Sequence, residues 1–305
     1  MAARSGPARP APPRGERALA LGLMAPALLV AAVFAFYPIV NSCWLSLHRL
    51  VLGLPGLGQP FVGLDNYRRL WGDPAAWDSL AVTLAFVAWS TGLEVLIGLG
   101  MALVLNRAFR GRGLTRAAVL VPWAIPTVVS SQMWRFIMND RYGLLNLVWH
   151  GQDLGSYQAW LAQPGWALAA LVAADVWKTS SFAALLILAG LQTIPDELYE
   201  AARLDGAGAW QRFWRITLPL VKPAIFLALV FRTMDAFRVF DLVFVMTQGG
   251  PGGSTEVLQF FGYKKIFAEG FMGYGSTISV LVFATVFLVS LIYLRLLWPR
   301  LAGRD

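Results

Sequence analysis

The 305-residue sequence predicts an all-α polytopic membrane protein with six transmembrane helices. Three observations lead there. Hydrophobic residues make up 57% of the chain and charged residues 14%, with a mean hydropathy of +0.59; soluble domains carry about 25% charged residues. The apolar residues gather into six runs long enough to cross a bilayer, which takes roughly 20 residues in a helix. The segments between them alternate between more and less basic. The net charge of +8 falls mainly in these short connections, so it reads as a topology signal and not as a nucleic-acid surface. The single cysteine, Cys43, lies in an apolar run and reads as a small buried residue; no disulfide framework is possible within the chain. His48 and His150 lack ligand spacing, which argues against a metal site.

Residues 1–17 are rich in Pro, Ala and Arg, including Arg4, Arg9, Arg14 and Arg17. No hydrophobic face can form there, so a disordered basic tail is expected. The first span runs from Ala18 to about Leu47, with bends expected near Pro26 and Pro38. It is too long for a signal-peptide core of about 7–15 residues. Residues 48–78 form an external loop whose Trp71 and Trp77 suit a membrane interface. The second span, Ser79 to Leu105, carries one carboxylate, Glu94. The third, Arg116 to Met138, contains Pro122 and Pro126, both expected to break the helix. Such breaks need neighbouring helices or a water cavity to satisfy the freed backbone groups.

A second external loop covers 139–164, and the fourth span runs from Pro164 to Leu191 with Asp175 and Lys178 inside it. The fifth is expected over Leu220 to Met246. A Gly-Gly-Pro-Gly-Gly turn at 249–253 opens a third external loop, and the sixth span covers Gly275 to Leu297. The membrane unit is thus 18–298, with 299–305 a short polar tail. Basic residues crowd the N-terminal tail, the loop with Arg107, Arg110, Arg112 and Arg116, the stretch 194–223 and the C-terminal end. The alternate loops are longer and less basic, so both termini and 194–223 are expected in the cytoplasm.

That stretch, Ile194–Pro223, reads IPDELYEAARLDGAGAWQRFWRITLPLVKP. It is a charged island between two spans. Tyr199–Leu204 and Gly208–Ile216 read as two short helices, with a helix end at Asp205-Gly206-Ala207 because Gly accepts the left-handed conformation. Leu218-Pro219 and Pro223 read as the start of the next span. By spacing alone, Glu200 at a helix start is a charge that complements the helix dipole. The order Glu200-Ala201-Ala202, three residues, Gly206, nine residues, Ile216, one residue, Leu218-Pro219 resembles the EAA loop of permease subunits of binding-protein-dependent ABC importers, the MetI-like type I fold. Ile194-Pro195 ahead of it and Asp205-Gly206-Ala207 inside it resemble the sugar-importing branch, as do Phe61–Tyr67. The resemblance implies that Glu200, Ala201, Ala202, Asp205, Gly206, Ala207, Phe213, Ile216, Leu218 and Pro219 couple the chain to an ATPase subunit. It also implies a homologous second permease in a heterodimer, two ABC ATPase subunits that bind ATP and Mg, an extracytoplasmic sugar-binding protein, and a bacterial cytoplasmic (inner) membrane. The sequence holds no G-x-x-x-x-G-K-[ST], so no P-loop of its own cradles a nucleotide.

Charged residues inside a bilayer are expensive, at least about 2.5–3.5 kcal/mol each near its centre. The fifth span nevertheless holds Arg232, Asp235, Arg238 and Asp241, spaced by three and alternating in sign. They read either as a self-paired ladder along one helix or as the polar lining of a path, with Phe237 and Phe240 beside it. Asp175 and Lys178 read equally as an internal ion pair or as part of that lining. Hydroxyl-rich sugars suit charged and amide groups, with aromatic rings against their apolar faces. Carried over from the sugar-permease family by distance from Ile194-Pro195 and from Thr247–Pro251, substrate contacts are implied near Lys178, Thr179 and Phe182 and near Asp235, Arg238 and Val239, with Asp241 following. RTMDAFRVFDLVFVMTQGGPGGST is most similar to trehalose/maltose-type permeases, which makes an α-linked disaccharide the first expectation. A glycerol-phosphate permease, an ion-coupled secondary transporter and a membrane-embedded enzyme are the alternatives. Asp235 and Asp241 disfavour the first and the complete EAA pattern the second. The third would need a nucleophile–base or metal constellation, and none is evident.

Overall fold

A computed structural model describes residues 14–301, apart from 55, 57 and 152. The tail expected over 1–17 lies mostly outside the described residues, although helix α1 (Arg14–Ala31) already includes its last four. A π-helical turn, Ala32–Phe36, joins α1 to α2 (Tyr37–Ser46). Together they supply the first span, and none of its apolar window is buried within the chain. Cys43 is exposed on this span and not buried as expected, because α2 packs along one side only, against the last helix.

The first external loop contains α3 (Asp65–Trp71) and leads into α4 (Pro74–Asn106). Asp73 caps α4 by accepting from Ala75 N–H at 3.1 Å, with Pro74 in the first turn. At 33 residues α4 is roughly 50 Å long, well over the bilayer's hydrocarbon core. Loop and span ends are tied together at this side. Asn66 donates to the carbonyls of Ser46 and His48 at 2.8 and 3.0 Å, closing the end of α2, and Tyr67 OH meets Ser46 Oγ at 2.8 Å.

The third span is a bent pair, α5 (Arg112–Ala124) and α6 (Thr127–Ile137), meeting at 89°. The break sits at Ile125-Pro126 alone. Pro122 stays inside α5, contrary to the expectation of two breaks. Helix α7 (Leu144–His150) lies in the second external loop, and α8 (Pro164–Leu191) matches the expected fourth span.

Helix α9 (Asp196–Leu204) and α10 (Ala209–Arg212) form the charged island. The island does not end in a separate short helix. A π-turn, Phe213–Thr217, carries α10 directly into α11 (Leu218–Ala236). In this wide turn Leu218 N–H reaches back to Phe213 O, so Pro219, which has no N–H, falls where the helical ladder has already slipped by one step. The fifth span then departs from expectation: α11 stops at Ala236, and α12 (Asp241–Met246) starts only after four irregular residues. Helix α13 (Leu258–Tyr263) and α14 (Met272–Leu301) complete the chain. Among the described residues β-structure is limited to two isolated bridges, His48–Phe61 and Val51–Phe271.

The centre of the bundle is α4 packed on α8, with α11 against both. Gly98 makes the α4–α8 approach possible. A Cβ there would lie 2.9 Å from the Ala183 Cβ and 3.0 Å from the Ala184 amide nitrogen. Small residues allow such backbone contact in membranes. Gly98→Val is expected to force the two helices apart and destabilise the protein by about 1–3 kcal/mol; a lowered aggregation temperature of the detergent-solubilised protein would register it.

Two apolar clusters result. One holds Phe86 and Val87 of α4, Val172 and Val176 of α8, and Ala236 at the end of α11. The other holds Ala102, Ala183, Ile187 and Ala228 of the same three helices, beside the charged island. Glu94 on α4 and Arg232 on α11 fall in the interval between the clusters, and Asp175 on α8 lies at the inner edge of the first. A thin polar layer thus crosses the bundle.

Candidate functional site

Arg232 organises that layer. Its side chain is 4% exposed, and its guanidinium is shared among three helices. Nε donates to Glu94 Oε2, Nη2 to Glu94 Oε1 at 3.1 Å, and Nη1 to Asp235 Oδ2 at 2.6 Å. Asp175 Oδ2 lies 3.7 Å from Nη2. Glu94 is fully buried, and Ser90 Oγ contacts it at 2.6 Å. A paired and multiply hydrogen-bonded charge is the arrangement that makes such burial tolerable.

Beside the layer opens a polar cavity of about 270 Å³. Two interrupted spans shape it. Trp123 and Thr127 flank the Ile125-Pro126 break, and Ala236 with Arg238 through Leu242 cover the break between α11 and α12 except Phe237, which is buried in the first apolar cluster. Irregular backbone at membrane depth is tolerated where it lines a cavity or is buried in protein, and discontinuous helices of this kind build solute sites in secondary transporters. The carbonyls freed at the first break have a partner: Lys178 Nζ donates to Ile125 O at 2.8 Å and Trp123 O at 3.2 Å. The ammonium group also faces the negative end of α5.

Of the residues expected along a path, Lys178, Thr179, Asp235, Arg238, Val239 and Asp241 all line this cavity. Phe182 does not. It stacks on Trp123 with centroids 5.8 Å apart and meets Phe231 edge-on, one turn away. Thr179 turns its hydroxyl back to the Asp175 carbonyl at 2.6 Å. The Asp175–Lys178 ion pair does not form among the described contacts: Lys178 is engaged by backbone and Asp175 by Ser90 at 2.6 Å. The charge ladder is only half realised. Arg232 and Asp235 pair three residues apart, but the chain leaves the helix at Phe237, so Arg238 and Asp241 stand in the cavity wall without ion-pair partners among the described residues. Sequence reasoning left Ser90, Glu94 and Trp123 out of the site. A lone carboxylate in an otherwise apolar span was the one available signal for Glu94.

At the charged island, α9 begins at Asp196, three residues before the expected start. Asp196 and Glu197 occupy its first turn, and Glu200 sits exposed in the second. A dipole role needs the first turn, so Glu200 is surplus to capping. Gly206, at φ +78°, ends α9 as the sequence requires. Ala207 N–H bonds to Ala202 O at 2.8 Å and Gly206 N–H to Arg203 O at 3.0 Å, the paired bonds of a Schellman end. Arg212 Nη1 donates to Ala207 O at 2.6 Å, and Tyr199 OH meets Thr217 Oγ1 at 3.0 Å. These ties fix the angle between α9 and α10. Around the turn, Leu204 is 90% exposed and Trp210 73%, an apolar rim on an otherwise charged surface.

Comparison with known proteins follows the same lines. Residues 94–303 match the family described as "Binding-protein-dependent transport system inner membrane component". The trehalose/maltose transport system permease protein MalF of Thermococcus litoralis is 46% identical over 281 residues, covering 92% of this chain and 94% of that protein. The trehalose transport system permease protein SugA of Mycobacterium tuberculosis is 42% identical over 292 residues, covering 95% and 92%. Among solved structures, a chain of a bacterial alginate ABC transporter in complex with an alginate pentasaccharide-bound periplasmic protein shares the fold, with a TM-score of 0.77 at 20% identity over 95% of this chain and 96% of that one.

Proposed function

The chain belongs to the family of binding-protein-dependent transport system inner membrane components, and on that premise we propose that it is the permease through which an ATP-driven importer moves an α-linked disaccharide, such as trehalose or maltose, into the cytoplasm. The observation that carries this reading is the polar cavity where two spans break beside a buried charge layer. Its wall offers donors and acceptors of both signs with Trp123 and Phe240 adjacent, a combination suited to a neutral polyhydroxylated solute. The names of the two relatives support the disaccharide class. A glycerol-phosphate solute would favour a cavity of cations, whereas Asp235 and Asp241 here place carboxylates in the wall.

As a member of this family the chain is a transport subunit and not an enzyme. ATP and Mg are then held by two ABC ATPase subunits, which dock against the island formed by α9 and α10. The exposed rim of Leu204 and Trp210, with Glu200, Ala201 and Gly206, suits insertion into a cleft of such a partner. A homologous permease completes the pore as a heterodimer, and an extracytoplasmic sugar-binding protein delivers the solute to the outer loops. The complex sits in the bacterial inner membrane with both termini in the cytoplasm. ATP-driven closure beneath the island opens the cavity outward to receive sugar, and hydrolysis returns it inward.

Uptake of labelled trehalose, maltose and glycerol phosphate into proteoliposomes of the full complex tests the substrate class. Accumulation of a disaccharide but not of glycerol phosphate is expected, and the reverse would reject it. Asp235→Ala and Arg238→Ala are each expected to lower uptake at least tenfold, the loss of about 1.4 kcal/mol or more of solute interaction, while the ATPase subunits still copurify. Unchanged uptake kinetics for both would remove them from the path.

A further inference from the structure

Hydrogen counting at Ser90 identifies a second kind of site. Ser90 Oγ lies 2.6 Å from Glu94 Oε1 and 2.6 Å from Asp175 Oδ2. Both neighbours are carboxyl oxygens. An ionised carboxylate only accepts, and a hydroxyl has a single hydrogen to donate. Were both acids ionised, one of these two short contacts would set oxygen against oxygen with no hydrogen between them. Water does not relieve the conflict easily, since Ser90 and Glu94 are fully buried and the Asp175 side chain is 13% exposed.

The two acids are not equivalent. Glu94 accepts twice from Arg232. Asp175 stands 3.7 Å from the same guanidinium, outside hydrogen-bond range, and its carboxyl group instead meets Ser90 Oγ and the neighbouring Glu94 carboxyl group. We infer that Asp175, Ser90 and Glu94 form a proton-binding site in which Asp175 is the acid that holds the proton. Asp175 Oδ2–H donates to Ser90 Oγ, Ser90 O–H donates to Glu94 Oε1, and Glu94 remains ionised against Arg232. Charge balance around Asp175 agrees. The facing groups are Glu94 on α4, Arg232 and Asp235 on α11, Lys178 on α8, and Arg238 and Asp241 at the broken span. That is three cations and three anions when Asp175 is neutral. An ionised Asp175 would add a fourth, uncompensated negative charge at membrane depth.

Asp175 also lines the polar cavity while Glu94 does not. The proton therefore exchanges through the same space that takes solute. Its loss would set a second carboxylate in competition for Arg232 and disturb the layer that α4, α8 and α11 share. The site goes beyond the permease reading: its occupancy is measurable without transport, and only the consequence for uptake rests on that reading.

Infrared spectroscopy of the complex in lipid provides the test, through the C=O stretch of a protonated carboxyl group that shifts in ²H₂O. At neutral pH the band is expected in the wild-type protein and in Asp235→Asn, and it is expected to vanish in Asp175→Asn. The wild-type uptake profile should fall as pH rises through the band's titration, and the Asp175→Asn profile should lack that alkaline limb. Ser90→Ala removes the acceptor, so the band should move to higher frequency; this variant stands in if Asp175→Asn does not assemble. Absence of the band in the wild type, its survival in Asp175→Asn, or a band unmoved by Ser90→Ala would overturn the assignment.

Discussion

Arg232→Met is expected to leave little assembled protein in the membrane. The substitution preserves most of the side-chain volume but removes every cation in contact with Glu94, which is fully buried between α4, α8 and α11. Breaking one side of a buried ion pair typically destabilises by about 3–5 kcal/mol, a large fraction of the stability of an ordinary domain. Replacing both partners is a different matter. Arg232→Met combined with Glu94→Gln leaves no uncompensated buried charge, since the Asp235 side chain is largely exposed, and should recover much of the loss. A double-mutant cycle on thermal stability of the solubilised protein measures the coupling directly. Additive effects of the two substitutions would show that the layer is not a unit.

Gly206→Pro is expected to abolish uptake while the protein still inserts. Gly206 sits at φ +78°, which proline's ring forbids, and its N–H closes one of the two bonds that end α9. The change acts outside the spans, so insertion and the cavity stay intact while the angle between α9 and α10 is lost. Glu200→Lys attacks the same surface by charge. Glu200 is exposed in the second turn of α9, beyond any capping duty, so its reversal should lower uptake and ATPase copurification with little effect on stability. A Gly206→Pro complex with normal sugar-stimulated hydrolysis and uptake would refute the coupling role of the island.

Spans and their ends were legible where one physical signal dominates. Pro164–Leu191 is a long run, apolar on both sides of Asp175–Ser181, that opens on Pro and ends at a polar turn, and the helix has those bounds. Gly206 was legible because a positive φ after a helix leaves few other choices. Three features were not legible, each for a tertiary reason. The spacing of Arg232, Asp235, Arg238 and Asp241 is helical, yet no local residue signals the break at Phe237; the turn follows from α12 packing on α6. Pro122 looks as disruptive as Pro126, but only Pro126 sits where α5 and α6 part. Lys178 looked like a partner for Asp175 three residues away, whereas the carbonyls freed at Ile125 lie 53 positions distant in sequence. Long-range demands of that sort leave no trace in local pattern. The same holds for Glu94, whose partner Arg232 is 138 residues further along.

The central claim is that ATP hydrolysis on partner subunits drives sugar through this chain. The most direct measurement reconstitutes the chain with its ATPase, second permease and binding protein in liposomes and follows ATP hydrolysis against a panel of mono- and disaccharides. Stimulation by an α-linked disaccharide, dependent on the binding protein and lost in Gly206→Pro, is the expected result. Failure of the chain to copurify with any ATPase, together with sugar uptake that proceeds without nucleotide, would contradict it.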